Sequence, residues 1–116
     1  MIPEVTDATF GSRVLGSPIP VLVDFWADWC GPCRALSQVL EELAARYEGR
    51  LQVLKVNVDD NQDTARRQGV MGLPTVIVYR DGRPAVRLTG AISRQRLSEE
   101  IERVLSLAGL TGIAPR

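Results

Sequence analysis

The sequence predicts a single α/β domain built on a mixed sheet with helices on both faces, and three observations predict it. Two apolar, valine-rich runs, residues 19–27 and the stretch from Leu51, are separated by about 16 residues of helical periodicity, the pattern of a parallel βαβ unit. Two further β-branched runs flank Asp81-Gly82, a dipeptide that favours a tight antiparallel hairpin. At 116 residues the chain is too short to divide into halves that each bury a core, so residues 1–116 read as one domain.

Taken in order, residues 6–15 (TDATFGSRVL) read as a short helix, closed off by Gly16, Ser17 and Pro18. Residues 19–27 (IPVLVDFWA) are apolar without alternation, as in a strand covered on both faces. From 32 to 47, Leu36, Val39, Leu40, Leu43, Ala44 and Tyr47 recur at helical spacing with Glu41, Glu42 and Arg46 opposite, and Gly49 stands where a left-handed stop is wanted. LQVLKVNVDD is the second strand, and its closing acids are placed to cap a short helix over residues 61–69. TVIVYR and PAVRLTG form the hairpin. Ser93 is a good N-cap for a last helix with Leu97, Ile101, Val104, Leu105 and Ala108 on one face. Residues 109–116 (GLTGIAPR), with two glycines and a proline, read as a flexible tail. No repeat, linker or low-complexity segment interrupts this order.

Composition narrows the function. Lys+Arg and Asp+Glu are both 14, so the chain has no electrostatic footprint for nucleic acid or an anionic membrane surface. The first ten residues carry neither a basic residue nor an apolar run, so they do not read as a signal peptide, and nothing approaches the ~20 apolar residues that span a bilayer. A soluble, cytoplasmic monomer is expected. There is no histidine, which removes Ser-His and Cys-His dyads, imidazole acid–base catalysis and the commonest zinc ligand. Any catalysis must therefore run on thiols and carboxylates. Thirteen of the fourteen basic residues are arginines; nucleotide bias in the source genome explains most of that, and leaves open why Lys55 is a lysine.

The only two cysteines sit in WCGPCR, residues 29–34. Cys30 falls at the end of a buried strand and Cys33 in the first turn of a helix, where Pro32 loses nothing by lacking an N–H. Residues three apart on a helical turn have Cβ atoms ~5–6 Å apart, within reach of a disulfide after modest adjustment. Such a bridge closes so small a loop that it hardly constrains the unfolded chain, which points to a redox switch rather than a staple. Half a zinc site is the other reading, but the chain supplies no further Cys or His. Free N–H groups at the helix N-terminus favour a thiolate at Cys30, expected to be the exposed, attacking thiol, with Cys33 the more sheltered, resolving one.

VDFWADWCGPC resembles the active-site segment of the thioredoxin family, and LKVNVD, GLPT, the hairpin DG and the Gly90-Ala91 pair follow in family order and spacing over nearly the whole chain. The resemblance implies a thioredoxin fold, a central mixed sheet of about five strands flanked by about four helices. It implies reduction of protein disulfides by the dithiol itself, without a bound cofactor, and recycling by a flavin- and NADPH-dependent thioredoxin reductase. It implies a substrate surface at Trp29, Gly31 and Pro32, at Met71, Gly72, Leu73 and Pro74, and at Gly90 and Ala91. It also implies a cis bond before Pro74 that sets this backbone against the cysteines and excludes metal. Trp26, inside the strand, reads as a core aromatic. The sequence departs from many relatives at Gln38, where a proline is common in the long helix, and the kink there is expected to be weaker.

Asp24 lies mid-strand beside Val23 and Phe25 in a run buried on both faces, where a carboxylate is costly unless neutral or paired. Lys55 lies midway along the neighbouring strand. The bland reading is a strained aspartate and a lysine reaching solvent at a sheet edge. The functional reading is a buried acid that moves the Cys33 proton, with its pKa raised by desolvation and tempered by Lys55. Two rival classes stand beside the reductase: a redox-inert binding subunit on the same fold, and a disulfide oxidase or isomerase. Oxidising relatives often carry histidine between the cysteines, which this chain lacks.

Overall fold

A computed structural model describes residues 1–113, with side chains described through residue 106. A short helical turn, Gly11–Leu15, is wound as a π-helix in which Gly16 N donates to Gly11 O (2.9 Å). It is followed by β1 (Val21–Trp26), α1 (Gly31–Arg46), β2 (Gln52–Asn57), α2 (Gln62–Arg67), β3 (Thr75–Arg80), β4 (Arg83–Thr89) and α3 (Arg94–Ile113). The sheet order is β2-β1-β3-β4. β1 and β2 run parallel, as the crossover helix requires, while β1–β3 and β3–β4 are antiparallel.

Among the described residues the sheet has four strands rather than five. The place of a fifth, beside β2, is held by a single parallel bridge from Glu4 to Lys55, in which Lys55 N donates to Pro3 O and Val5 N to Lys55 O. Pro3 has no N–H to extend the ladder. On the other side Thr6 turns the chain away, its N–H donating to Thr9 Oγ1 (2.9 Å). The last helix also differs from expectation, since it runs through Gly109 to Ile113. It contains two glycines, Gly109 and Gly112, each of which costs about 1 kcal/mol in a helix without ending it. The remainder of the expected tail, 114–116, lies outside the described residues, as does the side chain of Ala108.

Alternation along β1 divides the core. Leu22 joins Leu36, Leu40 and Leu43 of α1 with Leu97, Ile101 and Val104 of α3 on one face of the sheet. Val21, Val23 and Phe25 pack on the other face with Val5, Phe10 and Val14 of the N-terminal segment. Period two puts Asp24 on the face of Leu22, beneath α1. Val23 and Phe25, its neighbours in the chain, point away from it.

The caps hold one surprise. Ser93 caps α3 as expected, accepting from Arg96 N (3.0 Å). Asp59 and Asp60, by contrast, do not cap α2; their N–H groups donate to Asn57 Oδ1. Asp7 does it from 57 residues away, its Oδ1 accepting from both Thr64 N (2.8 Å) and Thr64 Oγ1 (2.6 Å). Asn61, the N-cap residue itself, has its amide committed to Asn57 O and to Asp7 N. No helix among the described residues is long and apolar enough to cross a membrane.

The hairpin turns through Asp81 (φ 55°) and Gly82 (φ 77°), both left-handed as a two-residue turn between twisted strands demands. A Cβ at Gly82 would stand 2.8 Å from the backbone carbonyl oxygen of Leu15, whereas one at Gly49 (φ 86°) would meet nothing within 4 Å. Both positions charge an L-residue for positive φ, but only Gly82 adds a backbone clash. Gly49→Ala is therefore expected to cost about 1 kcal/mol and Gly82→Ala about 2–3 kcal/mol, read by urea unfolding. Equal losses would show that the Leu15 segment yields freely.

Candidate active site

α1 begins at the redox pair because the chain leaves β1 through a tight turn, in which Cys30 N donates to Ala27 O (3.1 Å). Cys30 is the N-cap residue, with extended backbone angles; Gly31 and Pro32 open the helix and Cys33 completes its first turn. The two cysteines are joined in a disulfide with Cα atoms 5.4 Å apart. Sequence reasoning makes Cys30 the exposed thiol, but in this oxidised form the two are buried alike, 4% and 3% exposed. Two bonded sulfurs shield one another, so exposure does not separate them. Position does: Cys33 lines a partly open cavity, and Cys30 stands at the helix end.

That cavity, of about 130 Å³, is bounded by Asp24, Trp26, Cys33, Ser37 and Lys55, with Asp28 and Arg34 at its margin. Asp24 is 1% exposed, and its Oδ1 has no hydrogen-bond partner. Burial pushes its pKa up from the ordinary 3.8 to about 7, and the Lys55 charge pulls the other way. Lys55 is opposite Asp24 in the parallel register, yet its ammonium stands over the Trp26 ring, 5.0 Å from the centroid. Trp26 thus is half-buried at the cavity wall rather than a core aromatic, and its Nε1 is likewise without a partner. The cavity exceeds by several-fold the ~10–15 Å³ that one water needs, and it presents polar groups to hold water.

On the other side of α1 lies an open groove of about 360 Å³, in which Pro32 faces Pro74, Gly90 and Ala91. The Leu73–Pro74 peptide is cis, and Gly90 N donates to Pro74 O (3.0 Å), which ties the two loops together. Ala35, Val39 and Ile92 also line this groove. They were not anticipated, although Pro32, Ala35 and Val39 form an i, i+3, i+7 stripe that could have announced them. Trp29 is 70% exposed and Met71 97% exposed; Gly31 and Gly72 are exposed. The Trp29 indole donates to Asp59 Oδ2 (2.9 Å), a partner the sequence did not suggest. Leu73 packs half-buried against the core, so its side chain is turned from the surface. At position 38 α1 is continuous, Gln38 lying within an unbroken helix.

The Asp24 pKa fixes the sign of a pH effect. The folded value, about 7, lies above the ordinary 3.8, so ionisation opposes folding. The penalty starts as pH rises past 3.8 and levels off above about 7, where a gap of about three decades in proton affinity amounts to roughly 4 kcal/mol. Asp24→Asn should therefore gain stability relative to the parent across that window, by a few kcal/mol at pH 8 and far less at pH 4. Urea unfolding of the oxidised proteins at a series of pH values reads this directly. A difference independent of pH would show that Asp24 does not titrate there.

The family model described as Thioredoxin matches residues 1–103. Thioredoxin 1 of Nostoc sp. is 44% identical over 102 residues, covering 88% of this chain and 95% of that protein. The thioredoxin of Pseudomonas aeruginosa is 47% identical over 97 residues, covering 84% and 90%. That of Staphylococcus aureus is 47% identical over 104 residues, covering 90% and 98%. With the Cys30–Cys33 disulfide at the head of α1, these matches mark a thiol–disulfide oxidoreductase, and the chain belongs to the thioredoxin family.

Proposed function

We propose that the protein is a cytoplasmic, monomeric reductase of protein disulfides, recycled by an NADPH-dependent thioredoxin reductase. The observation that carries the reading is the division at α1: Cys33 shares a small cavity with a carboxyl of near-neutral pKa, while Pro32, two residues past Cys30, lines a larger apolar groove. In the reduced protein the Cys30 thiolate, stabilised by N–H groups at the helix N-terminus, attacks one sulfur of a client disulfide. A mixed disulfide forms, and the client's other sulfur leaves as a thiolate that takes a proton from solvent. Cys33 then passes its proton toward Asp24, directly or through cavity water, and attacks Cys30 Sγ. The Cys30–Cys33 bond forms, the client's second thiol departs, and two electrons have moved from the protein to the client. Pro32, Pro74, Gly90 and Ala91 provide the apolar bed for the client, and the exposed Trp29, Gly31, Met71 and Gly72 border it. The Leu73 backbone belongs to this border, its side chain to the core.

Lys55 serves this scheme by moderating the Asp24 pKa, keeping the carboxylate available at neutral pH. No residue in the scheme needs a bound cofactor to carry electrons.

Reduction of insulin with dithiothreitol as donor tests the reading, and failure to accelerate it would leave a redox-inert subunit. Cys33→Ser should accumulate mixed disulfides with protein clients and Cys30→Ser none; the reverse would exchange the roles. Iodoacetamide should modify Cys30 first in the reduced protein near neutral pH. In Asp24→Asn the resolution of mixed disulfides should slow by about 10²-fold or more at pH 8 and lose its dependence on a group titrating near 7. An unchanged rate and pH profile would remove Asp24 from the chemistry.

A further inference from the structure

The segment that presents Met71 runs from the end of α2 to the start of β3, and its origin is gripped from two strands. The Arg87 guanidinium, on edge strand β4, donates from Nη2 to Gln68 O (2.7 Å) and from Nη1 to Gly69 O (3.5 Å). The hydroxyl of Tyr79, on β3, donates to the Gln68 side chain at Oε1 (2.6 Å). Register explains the convergence: Arg87 is paired with Ile77, and Ile77 and Tyr79 share a face of the sheet. The far end is fastened by Thr75 Oγ1 donating to Gly72 O (2.6 Å) and by Gly90 N donating to Pro74 O. Between the two fastenings stands Met71, 97% exposed.

We propose that Arg87 is a positioning residue for client docking: by holding the carbonyls of Gln68 and Gly69 it sets where the Met71–Leu73 backbone meets a protein substrate. The carbonyls just past a helix end have no partner within the helix, and a planar guanidinium can satisfy two at once. An ammonium at the same place reaches only one. Arg87 lies outside both the cavity and the groove and does not approach the sulfurs' partners there, so its effect falls on docking and not on exchange. Tyr79 is buried and braces the core with Phe10, which makes Arg87 the separable half of the grip.

The inference rests on the reductase reading, and its test keeps the two apart. Arg87→Ala should raise KM for insulin about three- to fivefold, in keeping with an exposed charged contact, with kcat held and reduction of a small aromatic disulfide unchanged. Arg87→Lys should recover part of the loss. Amide hydrogen exchange at Met71 and Gly72 should quicken in Arg87→Ala while the global melting temperature stays. Parent-like KM and exchange in Arg87→Ala would overturn the proposal, as would a matched loss of kcat and melting temperature, which marks a merely structural residue. Should the parent protein fail to reduce insulin, the reductase reading falls, and the exchange measurement still decides whether Arg87 holds the segment.

Discussion

A carboxyl group in the central strand of the sheet sets the terms for the rest of this molecule. β1 is flanked by β2 and β3 and covered on both faces, so the Asp24 side chain has no route to solvent except through the cavity under α1. Desolvation there outweighs the attraction of Lys55, and the group titrates near neutrality instead of near 4. A domain of this size has only a modest margin of stability, about 5–15 kcal/mol, so a penalty of several kcal/mol at one residue is large. The two apolar clusters that sandwich the sheet are what allow it to be carried.

The position of α1 turns this buried acid into a neighbour of the redox pair. The helix lies across the face that Asp24 shares with Leu22, and its first turn brings Cys33 to the cavity wall. The same helix offers Pro32, Ala35 and Val39 to the opposite, open side, where Pro74 and Gly90 close the groove. One element thus separates the cavity that holds Asp24 from the apolar groove at Pro74. The parallel register of β1 with β2 supplies the remaining piece by setting Lys55 across from Asp24, its charge steadied on the Trp26 face.

Most of the architecture was legible because it follows from local pattern. The βαβ unit, the Asp81-Gly82 hairpin, the apolar stripes of α1 and α3 and the Ser93 cap each depend on a few adjacent residues. The pairing of Asp24 with Lys55 was legible too, because two apolar strands joined by one helix must run parallel. What stayed hidden depends on contacts between distant parts of the chain. Asp7 capping α2, Asp59 receiving Trp29, and the side of the sheet on which Trp26 closes the cavity are set by tertiary packing. The oxidised form shows little difference in exposure between the cysteines for a covalent reason, since a disulfide makes their surroundings common. The fifth strand shrank to a bridge because Pro3 and Thr6 bracket it.

The most direct test of this account is the titration of the Asp24 carboxyl carbon by NMR in the oxidised protein. The account predicts a midpoint near 7, well clear of the exposed aspartates. A midpoint near 3.8 would contradict it, showing that the cavity solvates the carboxylate and that Asp24 is too weak a base at neutral pH to take the Cys33 proton.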